Sequence, residues 1–258
     1  MQIGYEFHKV ILAQKHLNFY YICYNIFAMD SHALNLHQQA ETAREKEDFL
    51  KALELTDQAT VAYQKEGSSA GVAEIQSSRF LTLRHLFEQT GDQNFMILAK
   101  HAAQAAVEIA RNTGQTEALV MPLFNLGKAQ ETLGQYRTAV ENYKEAIAYF
   151  TQTPPPQHNR SAVMQEIIIH LSFAEYKTGD KTALERLEKA LEDLIATNEV
   201  RYNKDVWMSG GYMDIAEMLK DDNPDRAKLA LDRAKEIIDS NPDLTLRKKQ
   251  WEKLAAQF

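Results

Sequence analysis

Ala118 to Phe150 reads ALVMPLFNLGKAQETLGQYRTAVENYKEAIAYF. Leu123, Leu126-Gly127, Leu133-Gly134, Tyr136, Ala139, Tyr143 and Ala146 recur at offsets of three and four. Such spacing gathers side chains on one face of an α-helix. Gly134-Gln135 divides the stretch into two helices, so the unit is a helix–turn–helix hairpin. Gly127 and Ala139 are small where two helix axes must approach, and Tyr143 is large where the next layer leaves a hollow. A hairpin of this kind hides its apolar face only by stacking on further hairpins.

The same pattern extends in both directions. Upstream, Asp30-Ser31 offers an N-cap. Leu36, Ala40 and Ala43 mark one helix, and Phe49, Ala52, Thr56 and Ala59 a second. The turn between them, Glu47-Asp48, lacks glycine. Phe80, Leu83 and Phe87, the turn Thr90-Gly91-Asp92, and Ala99, Ala103 and Ala106 form the next unit. Downstream, Pro154-Pro155-Pro156 ends a helix. Ile168, Leu171 and Tyr176 then precede Thr178-Gly179-Asp180, followed by Ala183, Leu187 and Ala190. A fifth unit carries Trp207, Ile215, Ala216 and Leu219, then Asn223-Pro224 as N-cap and first-turn proline, then Ala227, Leu231 and Ala234. Asn241-Pro242-Asp243 opens a last helix to Gln257.

The expected organisation is a repeat array over 30–242, with units near 31–67, 72–113, 116–153, 160–198 and 204–241. A capping helix follows over 243–258.

Composition agrees with an array. The 258 residues are 45% hydrophobic and 25% charged, with only 10 Gly and 6 Pro, which describes a folded, mostly helical chain with short connections. A net charge of −7 argues against nucleic-acid binding, whose affinity rests on neutralising phosphates. The basic run Arg247, Lys248, Lys249 and Lys253 reads as the solvated face of the last helix. Cys23 is the only cysteine, which excludes an intrachain disulfide and suits a cytoplasmic setting.

Residues 1–29 differ, being rich in Tyr, Phe, Ile, Asn and Lys. Their apolar stretch Phe19 to Met29 is 11 residues long, short of the roughly 20 needed to cross a bilayer, so no stable membrane insertion is expected. Three readings stay open: an aromatic helix packed on the array, a mis-called start with Met29 as the true one, or a targeting segment.

The order Leu-Gly, glycine turn, Ala-x3-Tyr-x2-Ala resembles the tetratricopeptide repeat (TPR), and favours it over HEAT-type repeats of similar length. The marker alanines Ala52, Ala99, Ala139, Ala183 and Ala227 lie 47, 40, 44 and 44 residues apart, whereas the usual unit has about 34. Glu108 to Gly114, followed by Asn125-Leu126-Gly127, looks like the longer variant of kinesin light chains, spindle adaptors and bacterial peptide-pheromone receptors. The resemblance implies an all-α, right-handed superhelix of about five helix pairs, with an extra N-terminal helix and a C-terminal cap. It also implies a concave groove, lined by the first helix of each pair, that binds a protein or peptide.

Carried over from that family, the groove-facing residues of the third unit are Met121, Phe124, Asn125, Lys128, Glu131 and Thr132. His37, Glu41 and Arg44 come from the first unit, His85 and Glu88 from the second, and His170, Phe173 and Tyr176 from the fourth. An asparagine at the position of Asn125 both donates and accepts, so it can hold an extended peptide backbone. The carboxylate-clamp mode of chaperone-binding members is not expected, because Glu166 and His170 occupy positions that would need cations.

No catalytic constellation is legible. Gly210-Gly211 has no lysine after it and is no phosphate loop; it reads as a helix break or close packing near Trp207. His32 and His37 fall on different helix faces, Cys23 reads as a small core hydrophobe, and the acidic residues follow solvated helical spacing. The expectation is a non-enzymatic scaffold without cofactor or metal. Alternatives are a peptide-responsive regulator and a homo-oligomeric assembly factor whose residues 1–28 lie in a neighbour's groove.

Overall fold

The computed structural model describes residues 31–156 and 158–258. The expectations for residues 1–29, Cys23 included, and for Asp30 fall outside the described residues. The chain divides into two units, 1–68 and 69–258.

The first unit contributes α1 (His32–Glu45) and α2 (Phe49–Lys65). Ser31 caps α1 by accepting from Leu34 N at 3.1 Å, and Asp48 caps α2 by accepting from Lys51 N. Ala33, Leu36 and Ala40 of α1 pack with Ala52, Leu55, Ala59 and Tyr63 of α2 as a buried seam. Glu66 ties the hairpin's open end, accepting from Ser31 Oγ at 2.7 Å and Ala33 N at 3.0 Å.

The second unit holds α3 (Ser69–Thr90), α4 (Gln93–Thr113), a 3₁₀ turn (Thr116–Leu119), α5 (Val120–Thr132) and α6 (Tyr136–Gln152). It continues with α7 (Ser161–Lys177), α8 (Ala183–Ala196), α9 (Arg201–Leu219), α10 (Pro224–Ser240) and α11 (Thr245–Ala255). The described residues contain no strand. Each helix packs on the next, and the first helices of successive pairs also meet, α3 on α5, α5 on α7 and α7 on α9. That neighbour pattern defines an all-α solenoid of TPR-like pairs.

The termini follow local chemistry. Asn223 caps α10 by accepting from Arg226 N, with Pro224 at the first position, where its missing N–H costs nothing. Asn241, in contrast, ends α10 instead of opening α11: its side chain accepts from Asp243 N at 3.2 Å and its amide donates to Asp205 Oδ2 at 2.8 Å. The last helix therefore begins at Thr245 and is shorter than expected. Gly210-Gly211 does not break α9. It marks close packing, since a Cβ on Gly211 would lie 2.8 Å from Leu191 Cδ2.

Candidate functional site

The inward-facing helices α3, α5, α7 and α9 bring their polar residues together. On α5, Phe124, Lys128 and Glu131 share a face by their spacing of four and three. Lys128 Nζ pairs with Glu166 Oε1 of α7 at 3.1 Å and lies 4.8 Å from the Phe124 ring centroid. Glu131 accepts from the Tyr143 hydroxyl at 2.9 Å, and its other oxygen meets His170 Nδ1 at 3.1 Å. Phe124, Tyr143 and His170 form an aromatic floor with centroids 5.5–6.0 Å apart. On α3, Arg84 Nε donates to Glu88 Oε1 at 3.0 Å. Asp214 of α9 feels both Glu131 and Glu217 electrostatically.

Burial decides the charge state of this cluster. Taking charges out of water disfavours the ionised form. Burial pushes the Glu131 carboxyl up to about 8, against the Tyr143 hydrogen bond and Lys128, which favour ionisation. Burial, then the Glu131 and Glu217 charges, raise Asp214 well above the usual carboxylate range. His170 is held well below its usual value by burial and then by Lys128. Lys128 itself is lowered by burial despite Glu166. At neutral pH burial therefore favours an uncharged His170 ring and the protonated form of the Glu131 carboxyl. Both Glu131 oxygens are engaged by side chains.

Asn125 differs from its neighbours. The residue as a whole is only 7% exposed, and its side-chain amide is not among the buried groups left without a partner. It shares a helix face with Met121, Lys128 and Thr132, at offsets of four, three and seven. Its amide atoms are not closed off from solvent, so the polar end of the residue stays accessible and can donate and accept.

Phe173 is buried in the apolar core, edge-on to Tyr136 at 6.1 Å, with Lys177 Nζ 5.2 Å above it. Tyr176 leaves the cluster, because its hydroxyl donates to Asp222 Oδ2 at 3.2 Å and accepts from Lys181 at 2.9 Å, near the turn before α10. His85 is half-buried on α3, one residue from Arg84. Arg44 and Glu41 are half-buried on α1 of the first unit. His37, also of α1, is interior to its hairpin: Nδ1 lies 3.2 Å from Tyr63 Oη, and burial, then Arg44, lower it to about 4.

Arg84, Asp214, Glu217 and Arg247 carry no sequence signal that marks them for this cluster. Asp214 and Glu217 sit in the unit whose repeat pattern is weakest. The basic run of α11 divides: Lys248, Lys249 and Lys253 are exposed or nearly so, but Arg247 turns inward and donates from Nη2 to Val206 O at 3.1 Å. Among the described residues no three His, Cys, Asp or Glu side chains converge as metal ligands, and no helix is long and apolar enough to cross a membrane.

No protein-family model matches the sequence, and no curated protein is significantly similar to it. Solved structures are similar in fold. A variant of a putative kinesin light chain of Podosopora anserina, with nearly identical TPR-like repeats, aligns at a TM-score of 0.57 and 18% identity, over 81% of this chain and 95% of that one. Aspartyl phosphate phosphatase F of Bacillus subtilis aligns at 0.61 and 18% identity, over 90% of this chain but only 59% of that one. A Rap protein complexed with Competence and Sporulation Factor aligns at 0.55 and 15% identity, over 87% of this chain and 64% of that one. The fold is that of a TPR-like repeat protein.

Proposed function

We propose that this protein is a non-enzymatic scaffold whose inward-facing helices bind a protein or peptide, with Asn125 holding the partner's backbone. The carrying observation is Asn125, a residue only 7% exposed whose amide bonds to no described side chain or backbone group and whose polar atoms are not closed off from solvent. One amide can donate to a peptide carbonyl and accept from a peptide N–H, which reads backbone without regard to side chains. Lys128, Glu131 and His170 beside it supply selectivity. Met121 and Phe124 of the same helix, His85 and Glu88 of α3 and Phe173 of α7 complete the proposed lining, while Arg44 and Tyr176 carry no part of it. The reading is supported by the fold shared with a kinesin light chain and with a Rap protein solved together with Competence and Sporulation Factor. A cytoplasmic location, an absence of nucleic-acid partners and an absence of cofactor belong to the same proposal.

The test is selection of a random peptide library on the purified full-length chain, repeated on Asn125→Ala. Peptides enriched on the wild type should bind the variant about tenfold or more weakly, the loss expected for one or two hydrogen bonds, while its melting temperature stays unchanged. Equal binding to both proteins would remove Asn125 from the site.

A further inference from the structure

The last helix does more than cover the final hairpin. Gln250 of α11 donates from Nε2 to Glu88 Oε1 of α3 at 3.1 Å, across 162 residues of sequence. One turn earlier, Arg247 lies against Gly210, where a Cβ would sit 3.2 Å from Nη2. A larger residue at 210 would intrude on the guanidinium's seat. The charges acting on Arg247 are those of the inward-facing helices: Arg84 and Glu88 of α3, Glu166 of α7 and Asp214 of α9. Three of the four are carboxylates.

Two features mark this docking as reversible. None of the residues of α11 is fully buried, whereas every other helix buries several. Its polar anchors are Arg247 and Gln250, and its apolar contacts centre on Trp251 and Leu254, with Trp251 Nε1 donating to Leu231 O at 3.0 Å. Elements with little buried apolar area open at low free energy. The docked guanidinium also leaves its Nε buried and without a partner, a cost carried by the closed arrangement.

We propose that α11 is a built-in occupant of the polar trough between α3, α7 and α9, and that the partner it excludes is a helical peptide presenting arginine, an amide three residues on, and an aromatic next to it. Arg247, Gln250 and Trp251 display that pattern in cis, and the partner replaces them with the same chemistry. This inference rests on the binding reading above and names both its partner class and its control.

The test uses the full chain with Arg247→Glu and Gln250→Glu, which sets two carboxylates against Glu88 and Glu166. The probe is a fluorescein-labelled synthetic peptide of residues 243–258, followed by anisotropy. The disarmed chain should bind it in trans about tenfold or more tightly than the wild type, as expected when charge-assisted hydrogen bonds no longer compete in cis. A peptide with glutamate in place of its arginine should not bind. Library-selected peptides should likewise bind the disarmed chain more tightly than the wild type.

A double variant with wild-type circular dichroism and cooperative melting that fails to bind the peptide would overturn the proposal, as would equal binding by both chains. If the double variant does not fold, Gln250→Glu alone answers the same question, with a smaller gain. Selected peptides that still need Asn125 while the trans peptide never binds would sink the role of α11 and leave the scaffold reading standing. A library that yields no binder on either chain would sink the scaffold reading instead.

Discussion

Tyr143 occupies the space that a side chain on Gly127 would need: a Cβ built there would meet Tyr143 Cε1 at less than contact distance and lie 2.6 Å from Cδ1. The ring is fully buried, so it has nowhere to withdraw, and its hydroxyl donates to Glu131. Gly127→Ala should therefore destabilise the chain by about 1–3 kcal/mol, the usual cost of overpacking a filled core. A urea midpoint equal to the wild type's would mean that α5 and α6 can separate without penalty. Tyr143→Phe keeps the packing and removes only the donor to Glu131. Its cost should be smaller, about 1 kcal/mol.

The turns between helices place glycine in the left-handed region at Gly67, Gly91, Gly114, Gly134 and Gly179. At the turn within the first hairpin that role falls to Glu47, with φ at 60°. A side chain with a Cβ costs roughly 1–2 kcal/mol there, and glycine offsets part of its own advantage through unfolded-state entropy. Glu47→Gly should raise stability by about 0.5–1 kcal/mol. A thermal melt that moves down would show that the Glu47 side chain holds the turn.

The hairpins are legible in the sequence because a period near 3.6 is local: Leu123, Gly127, Ala139 and Tyr143 announce their faces to one another within a few turns. The inward direction of Lys128, Glu131 and His170 comes from a family pattern anchored on that same stretch. The closure of the cluster from afar lies beyond such reasoning. No periodicity links Gln250 to Glu88, and nothing in the run Arg247-Lys248-Lys249 distinguishes the one residue that turns inward from the two that stay in water. The buried state of Glu131 is equally hidden, since a carboxylate on a helix reads as solvated until its neighbours are known. Tyr176 departs from expectation for a related reason: its ring sits at a groove position by spacing, but Lys181 and Asp222 draw its hydroxyl away.

Arg160 and Glu199 offer a contrast with the many surface pairs. Arg160 Nη1 meets Glu199 Oε1 at 2.6 Å, and the Glu199 side chain is only 2% exposed. Removing the guanidinium in Arg160→Ala strands that carboxylate in the interior, with Asn203 and the Val200 amide as its remaining donors. The expected loss is roughly 3 kcal/mol. Lys189→Ala, which breaks the exposed pair with Asp193, should leave the urea midpoint close to the wild type's. Similar urea midpoints for the two variants would place Glu199 in water.

Stability should also fall as pH rises from about 6.5 to 8, and the sign follows from which state holds the proton. Folded, Glu131 keeps its proton up to about 8; unfolded, it releases it near 4.5. Between those values the native chain binds more protons than the unfolded one, so raising the pH favours unfolding. Asp214, raised in the same direction, acts in the same sense. His170 works oppositely but only below 6.5, where the unfolded chain gains a proton that the buried ring refuses; His37 and His158, both lowered to about 4, join it there. Above about 6.5 the carboxyls act without that opposition, and the loss by about pH 8 should reach roughly 1–2 kcal/mol. Glu131→Gln offers His170 a donor and Tyr143 an acceptor without a titrating proton, so its urea midpoint should change less over the same interval at fixed ionic strength. An unchanged slope in that variant would mean that Glu131 is ionised in the native cluster.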